Sequence, residues 1–180
     1  MSLCLVANWK LNGSKEFNLQ WAFEFLRNFN GNNFSILGVA PASLYIDHLK
    51  TIFTDYDIMI GSQNIDLEET GARTGEISAS MIKDLGCAFS IIGHSERRML
   101  FHETNKMICQ KLIKADNNSV IPILCIGESA EENQSNNTLN VLEQQIIGAL
   151  ENANELSSLI IAYEPIWAIG SGKTPKPEEI

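Results

Sequence analysis

The 180-residue sequence is 44% hydrophobic and 19% charged, the proportions of an ordinary globular chain with one sizeable core, so a single domain over residues 1–180 is the expectation. Its 22 acidic residues against 13 basic ones give a net charge of -9, and the Lys and Arg residues are scattered rather than blocked. That distribution argues against a nucleic-acid surface or an anionic membrane as partner, and leaves room for a small anionic ligand only where a few cations converge.

Taken in chain order, short β-rich runs alternate with longer amphipathic stretches. A strand is predicted over Leu3 to Asn8, closed by the polar residues Asn8 and Lys10. Ser14 then opens a helix over Lys15 to Phe29, and strand two, Phe34 to Ala40, leads to a helix over Ser43 to Phe53. Strand three, Asp57 to Gln63, runs into a long connection that reaches Ile77 and carries Gly71, Thr74, Gly75 and Glu76. Ser78 opens a helix to Leu85, and strand four, Phe89 to Gly93, turns straight into a further helix through His94, Ser95 and Glu96. A helix over Glu103 to Ala115, a strand over Val120 to Gly127, a helix over Leu139 to Asn152 and a strand over Leu159 to Glu164 follow. Beyond Pro165 come two glycines and a serine, and Pro175 with Glu178 and Glu179 opens what would be a sixth helix.

Strand, helix and strand at roughly 30-residue spacing imply parallel strands joined by right-handed crossovers. The runs are apolar nearly throughout, as in a sheet buried on both faces. An open doubly wound sheet and a barrel both fit, and the polar residues favour the barrel. Four of the six strands place such groups at the same end, where a barrel gathers its chemistry, and "NWKLNGSKE" after strand one carries neither GxGxxG nor GxxxxGK[ST]. Cys4, Cys87, Cys109 and Cys125 show no CxxC spacing, and Cys4 and Cys125 lie in apolar runs; reduced, buried thiols of a cytosolic protein are expected, not a disulfide framework or a zinc site. The N-terminus "MSLCLVANWK" lacks a charged leader with a long apolar core, and no apolar window approaches ~18 residues, so a cytoplasmic chain, neither secreted nor membrane-spanning, is expected.

His94 stands where a helix N-terminus opposes a positive ring, which suits a neutral hydrogen-bond donor or proton shuttle; the alternative is a plain helix cap. Glu164, ending an apolar strand, should be poorly hydrated, with a raised pKa and the strength of a base; the alternative is an ion pair with an arginine. The segment after it reads as a lid, with Trp167 as a hinge anchor and Gly170, Ser171 and Gly172 as a tip whose N–H groups can approach an anion. Lys10 is the simplest counterion for an anionic substrate, and Glu96 either holds Lys10 or pairs with Arg97 or Arg98.

The stretches "ANWK", "GARTGEIS", "IIGHSERR", "CIGE" and "AYEPIWAIGSGKT" resemble the triosephosphate isomerase family along the whole chain. The resemblance implies an α/β fold of the (β/α)8 TIM-barrel type and interconversion of dihydroxyacetone phosphate and glyceraldehyde 3-phosphate by enediolate proton transfer. It makes Glu164 the base and His94 the group that polarises the carbonyl. Asn8, Lys10 and Gly170 bind substrate, and Ser95, Glu96 and Cys125 support them. It implies no metal and no organic cofactor. It also implies a homodimer in which the loop bearing Thr74, Gly75 and Glu76 enters the partner subunit. Two positions depart from the family: Arg73 stands where an aromatic is frequent, which bears on dimer packing, and Pro175 replaces a small residue, which stiffens the lid's end.

The family runs to about 250 residues and eight strand–helix units, whereas six strands are counted here, an incomplete barrel. The absent loops would carry half of the phosphate grip, so weak or undetectable turnover is expected of this chain alone. Two further readings stand beside it. One is a non-catalytic barrel fragment that dimerises or needs a complementing C-terminal piece. The other is a glycosidase using Glu96 and Glu164, disfavoured by lid glycines suited to phosphate.

Overall fold

A computed structural model describes residues 3–29, 34–153 and 155–169. The strands β1 (Leu3–Asn8), β2 (Phe34–Ala40), β3 (Met59–Ser62), β4 (Phe89–Ile92), β5 (Ile121–Ile126) and β6 (Ile160–Tyr163) form one sheet in the order β1-β2-β3-β4-β5-β6, every pair parallel. That order decides between the two architectures left open by the sequence. A doubly wound sheet reverses at a switch point, whereas this one advances strand by strand, and crossovers of one hand then all return over the same face. The product is a curled sheet with helices outside it, a partial (β/α) barrel. Among the described residues β1 and β6 have one neighbour each, so the curl is open.

The crossovers carry α1 (Lys15–Asn28), α2 (Ile46–Ile52) behind a 3-10 turn at Ser43–Tyr45, α3 (Ala79–Asp84), α4 (Ser95–Leu100), α5 (Asn105–Asn117), α6 (Ala130–Gln134) and α7 (Thr138–Leu150). Ser14 and Ser78 cap α1 and α3 as their positions suggested: each hydroxyl accepts a backbone N–H three residues on, from Phe17 and Met81. The helix expected from Glu103 starts later, at Asn105. The Thr104 hydroxyl accepts the Met107 N–H, and Glu103 turns into the core. Helix α6 was not expected from the sequence; at five residues it is too short for a periodic signal, and a capping box between Ser129 and Glu132 holds it. Strand β3 begins two residues later than expected, because Ile58 is still bonded to Tyr56 in a turn. The sixth helix expected at Pro175 lies outside the described residues. Among the described residues no helix is long and apolar enough to cross a membrane.

Strand residues alternate between two apolar clusters. Ala7, Val39, Ile60, Ile92, Leu124 and Ile126 face outward onto the helices, while Val6, Ala40, Met59, Phe89, Ile91, Ile123, Cys125, Ile160 and Ala162 face inward. Phe89 fills the inside, and it fits because its neighbours lack side chains: a Cβ built on Gly38 would lie 2.7 Å from its ring, and one on Gly61 closer still.

Two expectations need correction at the open edges. The strands are not all buried on both faces: Leu5 on β1 is 48% exposed and Ile161 on β6 is 47% exposed. Cys4 is exposed rather than buried, while Cys87, Cys109 and Cys125 are buried, and all four are free. The physical reason is the same in each case, since an edge strand has a neighbour on one side only.

Candidate active site

The C-terminal ends of β1, β4 and β6 bring the ionisable residues singled out in the sequence together. Lys10 follows β1 in the left-handed region at φ 53, a conformation that costs a non-glycine residue about 1–2 kcal/mol. Three bonds hold it there. Its backbone N–H donates to Asn8 Oδ1 at 3.0 Å, its carbonyl accepts from Gln63 Nε2 at 2.9 Å, and its ammonium donates to Glu96 Oε1 at 2.8 Å. Gln63 donates also to the Ala40 carbonyl at 2.9 Å, so one side-chain amide ties the ends of β1, β2 and β3. Glu96 thus pairs with Lys10. Arg97 pairs with Glu103, and Arg98 turns toward backbone carbonyls.

His94 sits between β4 and α4 and is 8% exposed. Gly93 makes the turn possible: its φ of 71 favours glycine, and a Cβ there would lie 2.9 Å from Ile108 Cδ1. The Glu96 backbone N–H donates to His94 Nδ1 at 3.2 Å. An Nδ1 that accepts carries no proton, so the neutral ring keeps its proton on Nε2, which lies 3.0 Å from Glu164 Oε2. The imidazole therefore stands between two carboxylates, with Glu96 Oε2 3.5 Å from Nδ1.

Glu164 follows β6, its N–H donating to the Ile126 carbonyl at 2.8 Å. Gly127 lets the two strand ends come this close, since any side chain there would strike the Glu164 carbonyl. The other carboxylate oxygen, Oε1, accepts the Ser95 backbone N–H at 2.6 Å. Burial pushes the Glu164 carboxyl above the usual carboxylate range; the Ser95 N–H, His94 and Lys10 pull the other way and do not cancel it. Cys125, buried on β5, has its thiol pushed up to about 12, by burial first and by the charge of Glu164 second.

A further group went unnoticed in the sequence. Glu128, the last residue of "CIGE", is fully buried; Asn133 Nδ2 donates to its Oε1 at 3.0 Å and Trp167 Nε1 at 2.8 Å, while Tyr163 Oη reaches Oε1 and Oε2 at 3.2 and 3.1 Å. The signal was available: like Glu164, it is a lone carboxylate ending an apolar strand. Through Trp167 it anchors the start of the segment read as a lid, and the 3-10 turn Ile166–Ala168 lies just there. Gly170 and the rest of that segment lie outside the described residues.

Thr74, Gly75 and Glu76 are exposed in the loop after β3. Arg73 folds this loop on itself by a two-pronged bond to Asp66, one prong at 2.8 Å from Nη2 to Oδ2. At its base Asn64 Oδ1 accepts from buried Lys111, which also donates to Glu103 at 2.6 Å. Among the described residues no group of three or more His, Cys, Asp or Glu side chains could hold a metal ion.

The pair of a neutral imidazole N–H and a poorly hydrated carboxylate, beside a fixed ammonium, can donate a hydrogen bond to an oxygen and take a proton from a nearby carbon. A family model described as triosephosphate isomerase matches residues 3–180. The triosephosphate isomerase of Nitrosococcus oceani is 41% identical over 177 residues, covering 97% of this chain and 71% of that protein. That of Baumannia cicadellinicola is 42% identical over 180 residues, covering 98% and 70%, and that of Blochmanniella floridana 42% over 185, covering 99% and 71%.

Proposed function

The chain belongs to the triosephosphate isomerase family, and from that premise we propose that it interconverts dihydroxyacetone phosphate and D-glyceraldehyde 3-phosphate. The observation that carries the reading is the 3.0 Å approach of His94 Nε2 to Glu164 Oε2, with Nδ1 engaged by the Glu96 N–H. In the proposed reaction the substrate carbonyl oxygen replaces Glu164 as acceptor of the Nε2 proton. Glu164 takes a proton from the adjacent carbon, the enediolate is stabilised by the Lys10 ammonium and the imidazole N–H, and His94 passes a proton between its two oxygens before Glu164 returns the first proton one carbon away. Burial strengthens Glu164 as the base, since its raised pKa lies nearer neutrality. Asn8 acts by holding the Lys10 backbone, and Gly170 is assigned to the phosphate.

A homodimer goes with this reading. Its supports are the exposed Thr74–Glu76 segment, braced by Arg73 and Asp66, and the exposure of Leu11 (97%) and Leu44 (85%) at the same strand ends. Cytoplasmic residence also goes with it, supported by four free cysteines.

The one-sided pairing of β1 and β6 favours a second reading: a barrel unit that turns over only when a further piece supplies two more strand–helix units. One experiment addresses both. Isomerisation is measured for the chain alone, for Glu164→Gln, and for the chain mixed with the C-terminal third of a relative, with mass in solution recorded alongside. Turnover by the chain alone that is lost in Glu164→Gln supports the first reading, and turnover only in the mixture supports the second. A rate equal to that of Glu164→Gln under both conditions removes the isomerase assignment.

A further inference from the structure

The two reacting side chains sit on strands that do not touch. His94 follows β4 and Glu164 follows β6, with β5 between them, so their 3.0 Å separation depends on how the end of β4 is spaced from β5 and β5 from β6. The second interval is fixed by backbone bonding: Ile126 pairs with Tyr163, and the Glu164 N–H donates to the Ile126 carbonyl at 2.8 Å. The first is not, because the β4–β5 register ends at Ile92 and Leu124.

One residue further on, a guanidinium takes over. Arg98 Nε donates to the Gly93 carbonyl at 2.8 Å and Nη2 to the Cys125 carbonyl at 3.2 Å, so the planar fork spans the two strand ends like one more rung. Nη1 donates to Asn105 Oδ1 at 2.7 Å, and Asn105 is tied to α7 by a bond from its Nδ2 to the Gln144 carbonyl at 3.3 Å. The site for the fork is shaped: a Cβ on Gly93 would lie 3.2 Å from Arg98 Nη2. No carboxylate lies within ion-pair distance of Arg98 among the described residues, although burial opposes its charge. Arg98 is thus a half-buried cation whose desolvation is offset by bonds to two backbone carbonyls and one side-chain amide oxygen.

We propose that Arg98 is a positioning residue: by bridging the Gly93 and Cys125 carbonyls it sets the His94–Glu164 separation. This rests on the isomerase reading for its consequence in turnover, but not for its geometry. The groups that face Glu164 are His94 and Ser95 at the start of α4, Lys10 after β1, Cys125 on β5 and, behind them, Arg98, with Glu96 across the imidazole.

The test uses the full chain and the variants Arg98→Lys, Arg98→Gln and Asn105→Ala, the last leaving the guanidinium in place but untethered. Each is checked for folding by circular dichroism, then examined by 15N NMR of the His94 ring and 13C titration of the Glu164 carboxyl. Arg98→Lys keeps the charge but cannot span both carbonyls, and the His94 Nε2–H signal shifts or broadens. Arg98→Gln loses the fork altogether, and the His94 signal moves at least as far. Asn105→Ala moves the His94 signal in the same sense as Arg98→Lys, and it decides the matter if neither Arg98 variant folds. In a chain that turns over, kcat falls about 10- to 100-fold in Arg98→Lys with KM little changed, the scale of a small misplacement of reacting groups. Folded variants with His94 and Glu164 signals identical to wild type overturn the proposal. Absence of wild-type turnover both alone and with the C-terminal third of a relative, with shifted signals in the variants, overturns the isomerase reading and leaves the positioning role intact.

Discussion

Replacing Gly61 by alanine tests the packing that carries β4, and hence His94, in its place. A Cβ at position 61 would lie 2.6 Å from Phe89 Cζ and nearer still to Cδ2 and Cε2. Phe89 is 1% exposed and packed among Ala40, Ile91, Ile123 and Cys125, so the ring cannot swing clear without disturbing the inner cluster. Overpacking of this kind costs about 1–3 kcal/mol. Against it stands the lower backbone entropy of alanine in the unfolded chain, worth about 0.4–1 kcal/mol. The clash is the larger effect, and a net loss of about 1–2 kcal/mol is expected. With a urea m-value of about 2 kcal/mol/M, the unfolding midpoint should fall by roughly 0.5–1 M. The double variant Gly61→Ala with Phe89→Leu should recover part of that loss, with an interaction term of at least about 0.5 kcal/mol in a double-mutant cycle. An unchanged or raised midpoint for Gly61→Ala, or strict additivity in the cycle, would refute the account of the barrel interior.

Glu164 gives a prediction about pH. Its folded-state pKa is raised, so the folded chain holds that proton more tightly than the unfolded one; the associated stability is present at low pH and lost as pH rises through the raised value. Glu164→Gln removes this dependence and should gain stability over wild type between pH 4 and pH 8; an equal difference in urea midpoint at both pH values counts against it. Trp167→Phe strips fully buried Glu128 of its 2.8 Å donor and should cost about 1–3 kcal/mol in urea unfolding, whereas a loss below about 0.5 kcal/mol would mean that the bond is dispensable. Among the thiols, Cys4 is exposed, Cys109 is buried, and burial pushes Cys87 up to about 11 and Cys125 to about 12. An aromatic disulfide reagent at pH 8 should therefore titrate one thiol rapidly in the native chain and four in urea; rapid reaction at Cys125 would contradict its burial.

How much of this was legible in advance depends on the range of the interaction concerned. Strand and helix existence follows from local periodicity and capping, which is why β1 and β2 fall where the sequence placed them and Ser14 and Ser78 cap their helices. The polar residues at strand ends, Asn8, Lys10, His94, Ser95, Glu96 and Glu164, were legible because a carboxylate or imidazole closing an apolar run is conspicuous. The same reasoning passed over Glu128, whose meaning depends on Tyr163 and Trp167 meeting it 35 and 39 residues later.

By itself, then, the sequence determined the alternation of elements and the residue types gathered at one end of them, because both are set within a few residues of chain. Only the tertiary structure decided that the sheet advances without reversal, that Glu96 takes Lys10 rather than an arginine, and that Arg98 spans β4 and β5. Each of these is a choice among partners far apart in sequence, made by which strand ends the curl of the sheet brings within bonding distance.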